Sequence, residues 1–202
     1  MNLKSKISVM FLVIFILSST VFAQSAKVLK FKGGFFNPKG MESSLIFNGS
    51  YGIAIDERVD LSFGISYFNK TSKSKDVKFE GSKDNVDYTV IDEKKEYSNT
   101  LLPLSIDLTA SFPIQPSLYW ILGGGLTYEF LFLKNATFSG FGWNVFLGIE
   151  YEIGSRSSFV VEGFYNGCKP QGKIEIEEYG KTTAEVNVSG IGIRGGIKLL
   201  LF

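Results

Sequence analysis

Histidine is absent from all 202 residues of this chain. A Ser/His or Cys/His nucleophile–base pair therefore cannot be assembled, and a histidine-liganded metal centre is excluded as well. Cysteine occurs once, at Cys168, so no intramolecular disulfide can close, and an inert thiol is expected. Neither sign of charge dominates: 21 Lys and Arg stand against 20 Asp and Glu, which gives no electrostatic basis for binding nucleic acid. Beyond the first residues there is no apolar run approaching the roughly 20 residues of a spanning helix. Two other features that invite a chemical reading are expected to be structural. Glu150 and Glu152 are i, i+2 neighbours near a turn, and Gly123-Gly124-Gly125 follows no strand-to-helix pattern that would cradle a phosphate. No enzyme activity, cofactor or metal is expected.

What is present begins with an export signature. Lys4 and Lys6 precede an apolar run from Ile7 to Leu17, and Ser18 to Ala23 forms a small-residue exit before Gln24. That layout describes a cleaved secretory signal over residues 1–23, followed by a single domain over 24–202. Without Lys4 and Lys6 the basic residues fall from 21 to 19 against 20 acidic, a formal charge of −1. With the chain ending at the last strand, a periplasmic domain is not expected.

The remaining apolar residues, 19 phenylalanines among them, are dispersed at a period of two. Phe141, Trp143, Val145, Leu147, Ile149, Tyr151 and Ile153 share one face, against Gly142, Asn144, Phe146, Gly148, Glu150 and Glu152 on the other. The same alternation runs through 59–68, 102–112 and 120–130, and more weakly through 27–36, 46–55, 157–167 and 183–201. Glycine, β-branched and aromatic residues at this period predict strands and exclude helices. Eight segments near the length of a tilted membrane strand predict an all-β, closed antiparallel up-and-down barrel. Short connections at 56–58, 113–117 and 154–157 alternate with longer ones at 37–45, 69–98, 133–137 and 168–182. Short periplasmic turns opposite longer extracellular loops are the arrangement of a membrane barrel.

The two longest loops are themselves expected to be hairpins. Val77 and Phe79 alternate opposite Tyr88 and Val90, and these four are the candidate loop contacts, offered to a partner by β-augmentation. In the last loop, Ile174 and Ile176 are expected opposite Glu185 and Thr183, which sets Pro170 opposite Ser189. The apolar parity flips on both sides there, and a bulge is the expected cause.

Alternation alone leaves open whether the apolar face meets lipid or a soluble, lipocalin-like core. The polar face is small (Gly, Ser, Asn and Thr) with one or two charges per strand, as suits a narrow lumen. Aromatics stand near both strand ends on the apolar face, as two interfacial girdles would. The chain also ends in Arg194, Gly196, Leu199 and Leu201, with Phe202 one residue beyond. This spacing resembles the C-terminal insertion signal of outer-membrane proteins. Nearly the whole mature chain resembles the family of small eight-stranded outer-membrane β-barrels that includes OmpX and the OmpA barrel; the phrases Phe31 to Pro38, Leu102 to Phe112 and Trp120 to Phe130 carry the likeness.

The resemblance implies a monomer in the bacterial outer membrane, with lipid and the insertion machinery as its partners. It implies a non-enzymatic structural or surface-interaction role through the extracellular loops, toward an external partner that the sequence leaves unnamed. The alternative is a narrow, porin-like passive channel. The enzymes among such barrels use a histidine base, which this chain lacks. With the apolar face outward, Lys30, Lys32, Asp60, Asp107, Glu129, Glu150, Glu152, Glu162, Arg194 and Lys198 point inward. They are expected either to pair as a plug or to line a path. Arg194 and Lys198 would then join Lys30 and Lys32 in a basic strip, with Asp107, Glu150 and Glu162 facing it across the barrel.

Overall fold

The computed structural model describes residues 26–73, 78–83, 86–91, 96–133, 136–176 and 180–201. The expected signal, Val77 and Phe202 lie outside them, as do the side chains of Phe79, Tyr88 and Val90. In chain order the strands are β1 (Lys27–Pro38), β2 (Ser44–Ala54), β3 (Val59–Lys73), β4 (Lys78–Lys83), β5 (Val86–Ile91), β6 (Glu96–Gln115), β7 (Leu118–Leu133), β8 (Ala136–Gly154), β9 (Ser157–Cys168), β10 (Gln171–Ile176), β11 (Gly180–Glu185) and β12 (Gly190–Leu201).

Eight of these close a barrel in the order β1-β2-β3-β6-β7-β8-β9-β12, every neighbouring pair antiparallel. β1 and β12 complete the ring, pairing from Lys27↔Leu201 to Pro38↔Gly190. Closure leaves no unpaired edge within the bilayer, where an open backbone group would be costly. On the short-turn rim the reversals are tight. Asp56 Oδ1 accepts from the backbone N–H groups of Arg58 (2.7 Å) and Val59 (2.8 Å), fixing the β2–β3 turn. Ser117 adopts φ 68° in the β6–β7 turn.

The wall has register shifts near the short turns, between Pro113 and Gln115 and between Glu152 and Gly154, and a gap farther along β6. The β3–β6 ladder passes from Ile65↔Leu104 directly to Phe68↔Leu101, skipping Pro103. Proline has no N–H to contribute to a ladder.

Two hairpins continue beyond the long-loop rim. β4–β5 carries on the β3–β6 register, and β10–β11 carries on the β9–β12 register, from Asn166↔Gly190 to Gln171↔Glu185. β11 meets β4 at Glu185↔Glu80, and β10 meets β8 at Gln171↔Ser139, so the hairpins form one four-stranded sheet above the rim.

Here three expectations are corrected. The segment 183–201 is not one strand but two, with residues 186–189 between β11 and β12 outside the ladder. Ile174 pairs with Thr182 and Ile176 with Gly180, three residues away from the expected register. Nor does the parity flip on either side of the break: Cys168, Pro170, Ala184, Val186 and Val188 are all buried, so among these described side chains the even-numbered residues face inward. Val186 N–H donates to Pro170 O (3.0 Å) and Val188 N–H to Cys168 O (3.2 Å) across the break. What changes at this level is the chemistry of the interior, which turns from polar to apolar. A reader of hydropathy takes that change for a shift of face.

Candidate functional site

Inside the ring, charged and aromatic side chains from its eight strands converge, and the interior is layered. At the short-turn end lies a water-accessible cavity of about 490 Å³, whose walls include Arg58, Tyr119, Glu152 and Ser155. Glu152 is exposed at this mouth rather than enclosed in the lumen. Asp60, Glu150 and Lys198 line the same cavity. Lys30 Nζ donates to Asp60 Oδ1 (2.5 Å) and Thr109 Oγ1 (3.1 Å), while Lys198 reaches Glu150 Oε2 (3.0 Å) and Asp60 Oδ2 (3.6 Å).

The next layer centres on Glu162, which is 1% exposed. Its Oε1 accepts from Lys32 Nζ (2.7 Å) and from Arg194 Nε. The Arg194 guanidinium also lies 4.7 Å from the Phe164 ring centroid, and Lys32 Nζ lies 5.3 Å from that of Phe146. Those rings supply cation–π attraction where water is excluded.

Two other inward acids bind amides and hydroxyls instead of cations. Asp107 accepts from Ser105 Oγ (2.6 Å) and Asn144 Nδ2 (2.8 Å). Glu129 Oε1 accepts from Asn166 Nδ2 (2.7 Å) and Thr127 Oγ1 (3.2 Å), while its Oε2 has no hydrogen-bond partner. Asn144 Oδ1 is a second orphan in this region, and Asn99 Oδ1 is another beyond Leu101, toward the long loops.

Above this the lumen is filled with hydrocarbon. Phe36, Phe68, Leu101, Leu131, Phe138, Val186 and Val188 are buried together, with Met41 of the β1–β2 loop packed against them. Phe36 meets Phe68 edge-on (5.7 Å) and stacks on Phe164 (5.5 Å). An eight-stranded barrel has room for little more than its own side chains, and these rings use that room.

The expected basic strip is thus real as a placement but not as a field. β1 and β12 set Lys30 directly opposite Lys198, yet each of the four cations is tied to an acid. Glu162 does not face the strip from across the barrel: it is the cross-strand neighbour of Arg194. Asp107 takes no part in an ion pair among the described residues. Sequence reading missed the apolar layer. Its signal was in view, since Phe36, Phe68, Leu131 and Phe138 are apolar residues on the polar parity, all close to the long loops.

Leu147 is 55% exposed while Glu162 is 1% exposed, which puts the apolar face outside and the charges inside, the reverse of a soluble barrel. The sequence matches no protein-family model and no curated protein. Among solved structures, the chain is similar to the outer membrane protein OprG from Pseudomonas aeruginosa, with TM-score 0.64, 12% identity, and 88% of this chain and 96% of that one covered. It is similar also to a major outer membrane protein from Thermus thermophilus (TM-score 0.55, 11% identity, 88% and 100% covered) and to Neisserial surface protein A (0.52, 14%, 86% and 96%). The fold is that of a small outer-membrane β-barrel.

The outer surface has the form such a barrel needs. Phe112, Trp120, Tyr151 and Phe159 are exposed near the short turns, and Phe35, Tyr67 and Phe141 near the long loops. Aromatic rings at these two heights sit at the two interfaces of a bilayer. Between them Phe63, Leu122, Val145, Leu147 and Val161 form the belt that faces hydrocarbon.

Proposed function

We propose that this protein is a non-enzymatic surface-interaction barrel of the outer membrane, in which the bilayer-spanning part is a rigid pedestal and the extracellular sheet does the work. The observation that carries this reading is the pairing of β11 with β4, which joins two separate loop hairpins into one four-stranded sheet above the rim. Long connections of independent origin that pair with one another present a defined surface, with backbone hydrogen bonds available at its margin.

The packed lumen favours this reading over a passive channel. A permeating ion would have to pass the Lys32–Glu162–Arg194 cluster and then the Phe36–Phe68 layer. The buried charges act here as a polar core that holds the eight strands together. We further propose that residues 1–23 are removed on export, and that Arg194, Gly196, Leu199 and Leu201 guide insertion.

The test is to replace residues 74–95 with a short Gly-Ser linker. The barrel should still fold, because the cost of loop closure changes slowly with length. Binding of intact cells to whatever surface they recognise through this protein should be lost. Retained binding combined with unitary conductance steps in planar bilayers would favour the channel instead.

A further inference from the structure

Where the interior turns from polar to apolar there is a small cavity of about 20 Å³, to which each of the eight barrel strands contributes a residue. It reaches from Arg194 on the ion-paired side to Phe36 on the apolar side, and Ser66, Ser105, Thr127, Asn144 and Asn166 lie around it. Its size admits one particle no larger than a water molecule or an alkali-metal ion.

The oxygens around this cavity are short of donors. Ser105 donates its hydroxyl proton to Asp107 (2.6 Å) and Thr127 donates to Glu129 (3.2 Å), which leaves both hydroxyls as acceptors only. Asn144 Nδ2 donates to Asp107 (2.8 Å), and Asn144 Oδ1 has no partner. Glu129 is 0% exposed and is held by Thr127 and Asn166, yet its Oε2 has no partner either.

Positive charge is short as well. The layer toward the short turns balances, with Lys30 and Lys198 against Asp60 and Glu150. Around the cavity two buried cations, Lys32 and Arg194, stand against three buried acids, Glu162, Asp107 and Glu129, a formal charge of −1. Both cations bind Glu162, whereas Asp107 and Glu129 are held by hydroxyls and amides that line the cavity. Uncompensated charge is costly in such an interior.

We propose that the cavity binds one desolvated monovalent cation, of the size of Na+ or K+, as the counter-ion of Asp107 and Glu129. A single positive charge brings the layer to zero, and a divalent ion overshoots it. Neutral oxygen atoms are ligands that replace the hydration shell of such an ion. A water molecule satisfies the same oxygens but leaves the charge uncompensated. The Arg194 charge is already in this count, and its Nε donates to Glu162. An ion held by the partners of these two acids links β6, β7, β8 and β9, so folding is coupled to its binding.

Urea unfolding of the refolded full-length protein in phosphatidylcholine vesicles, at fixed ionic strength, tests this. The barrel should unfold several-fold more slowly in sodium or potassium chloride than in tetramethylammonium chloride, whose cation is too large for the cavity. Glu129→Gln removes the excess charge and should abolish that difference; if it does not fold, Asp107→Asn serves the same purpose. Glu57→Gln, at the exposed short-turn rim, should retain the difference. Crystals soaked in thallium(I) should show an anomalous peak within bonding distance of Asn144 Oδ1. Equal unfolding in all three salts, an undiminished difference in Glu129→Gln, or no thallium at the cavity would each overturn the proposal. A carboxylic-acid infrared band that Glu129→Gln removes would overturn it too, by assigning the missing charge to a proton.

Discussion

Lys30 and Lys198 lie directly opposite one another across the β1–β12 seam, and both ammonium groups reach the same carboxylate, that of Asp60. Like charges in this position would repel across the very seam that closes the barrel. Asp60, two strands beyond β1 in the ring, converts the repulsion into a bridge linking β12, β1 and β3. Asp60→Asn should therefore destabilise the folded barrel by about 3 kcal/mol or more, because it leaves buried charge uncompensated. Urea unfolding in lipid vesicles measures this. An unchanged midpoint would mean that Thr109 and Glu150 satisfy the two lysines alone.

Facing of the wall can be checked at two adjacent residues. Leu147 is exposed on the outer belt, so Leu147→Arg should cost about 2–4 kcal/mol in a bilayer. Gly148 faces inward, where an added Cβ would come within 2.7 Å of Glu162 Cα. Gly148→Ala should therefore destabilise by crowding, by about 1–3 kcal/mol. Equal tolerance of both substitutions would contradict the assigned parity.

The apolar layer near the long loops should behave as a true core. Phe68 is fully buried between strands and packs edge-on against Phe36. Phe68→Ala should cost about 3–5 kcal/mol. The ion-paired layer beneath remains in that variant, so planar-bilayer recordings should stay free of unitary steps. Steps seen in Phe68→Ala but not in the parent would identify this layer as the seal.

Cys168 gives a probe of the same region. It is buried, and its thiol lies 3.5 Å from Phe141 O. A membrane-impermeant maleimide should leave the folded protein unlabelled and modify it fully in denaturant, since reaction needs an accessible thiolate. Rapid labelling of the folded form would show that the loop-side cap opens.

Much of this architecture is legible in the sequence. Period-two alternation in 59–68, 102–112, 120–130 and 141–153 located four barrel strands, because side chains leave a strand on alternate faces whatever it pairs with. Alternation also separated Leu147 from Glu162. The hairpin register at 171–185 was not legible. With two nearly continuous strands, the pairing is set by how β9 and β12 meet far below, at Asn166↔Gly190, and local hydropathy carries no trace of that.

The sequence by itself determined that this chain forms a closed barrel with an apolar exterior, since only one face of each strand can satisfy hydrocarbon and only closure can satisfy the backbone. Tertiary structure decided which charges meet, that Phe36, Phe68, Leu101 and Leu131 form one layer, and that β11 joins β4. Those outcomes depend on the stagger between strands distant in sequence. A stagger shifted by two residues preserves every inward and outward position, so alternation cannot fix it; the closed ring of hydrogen bonds does.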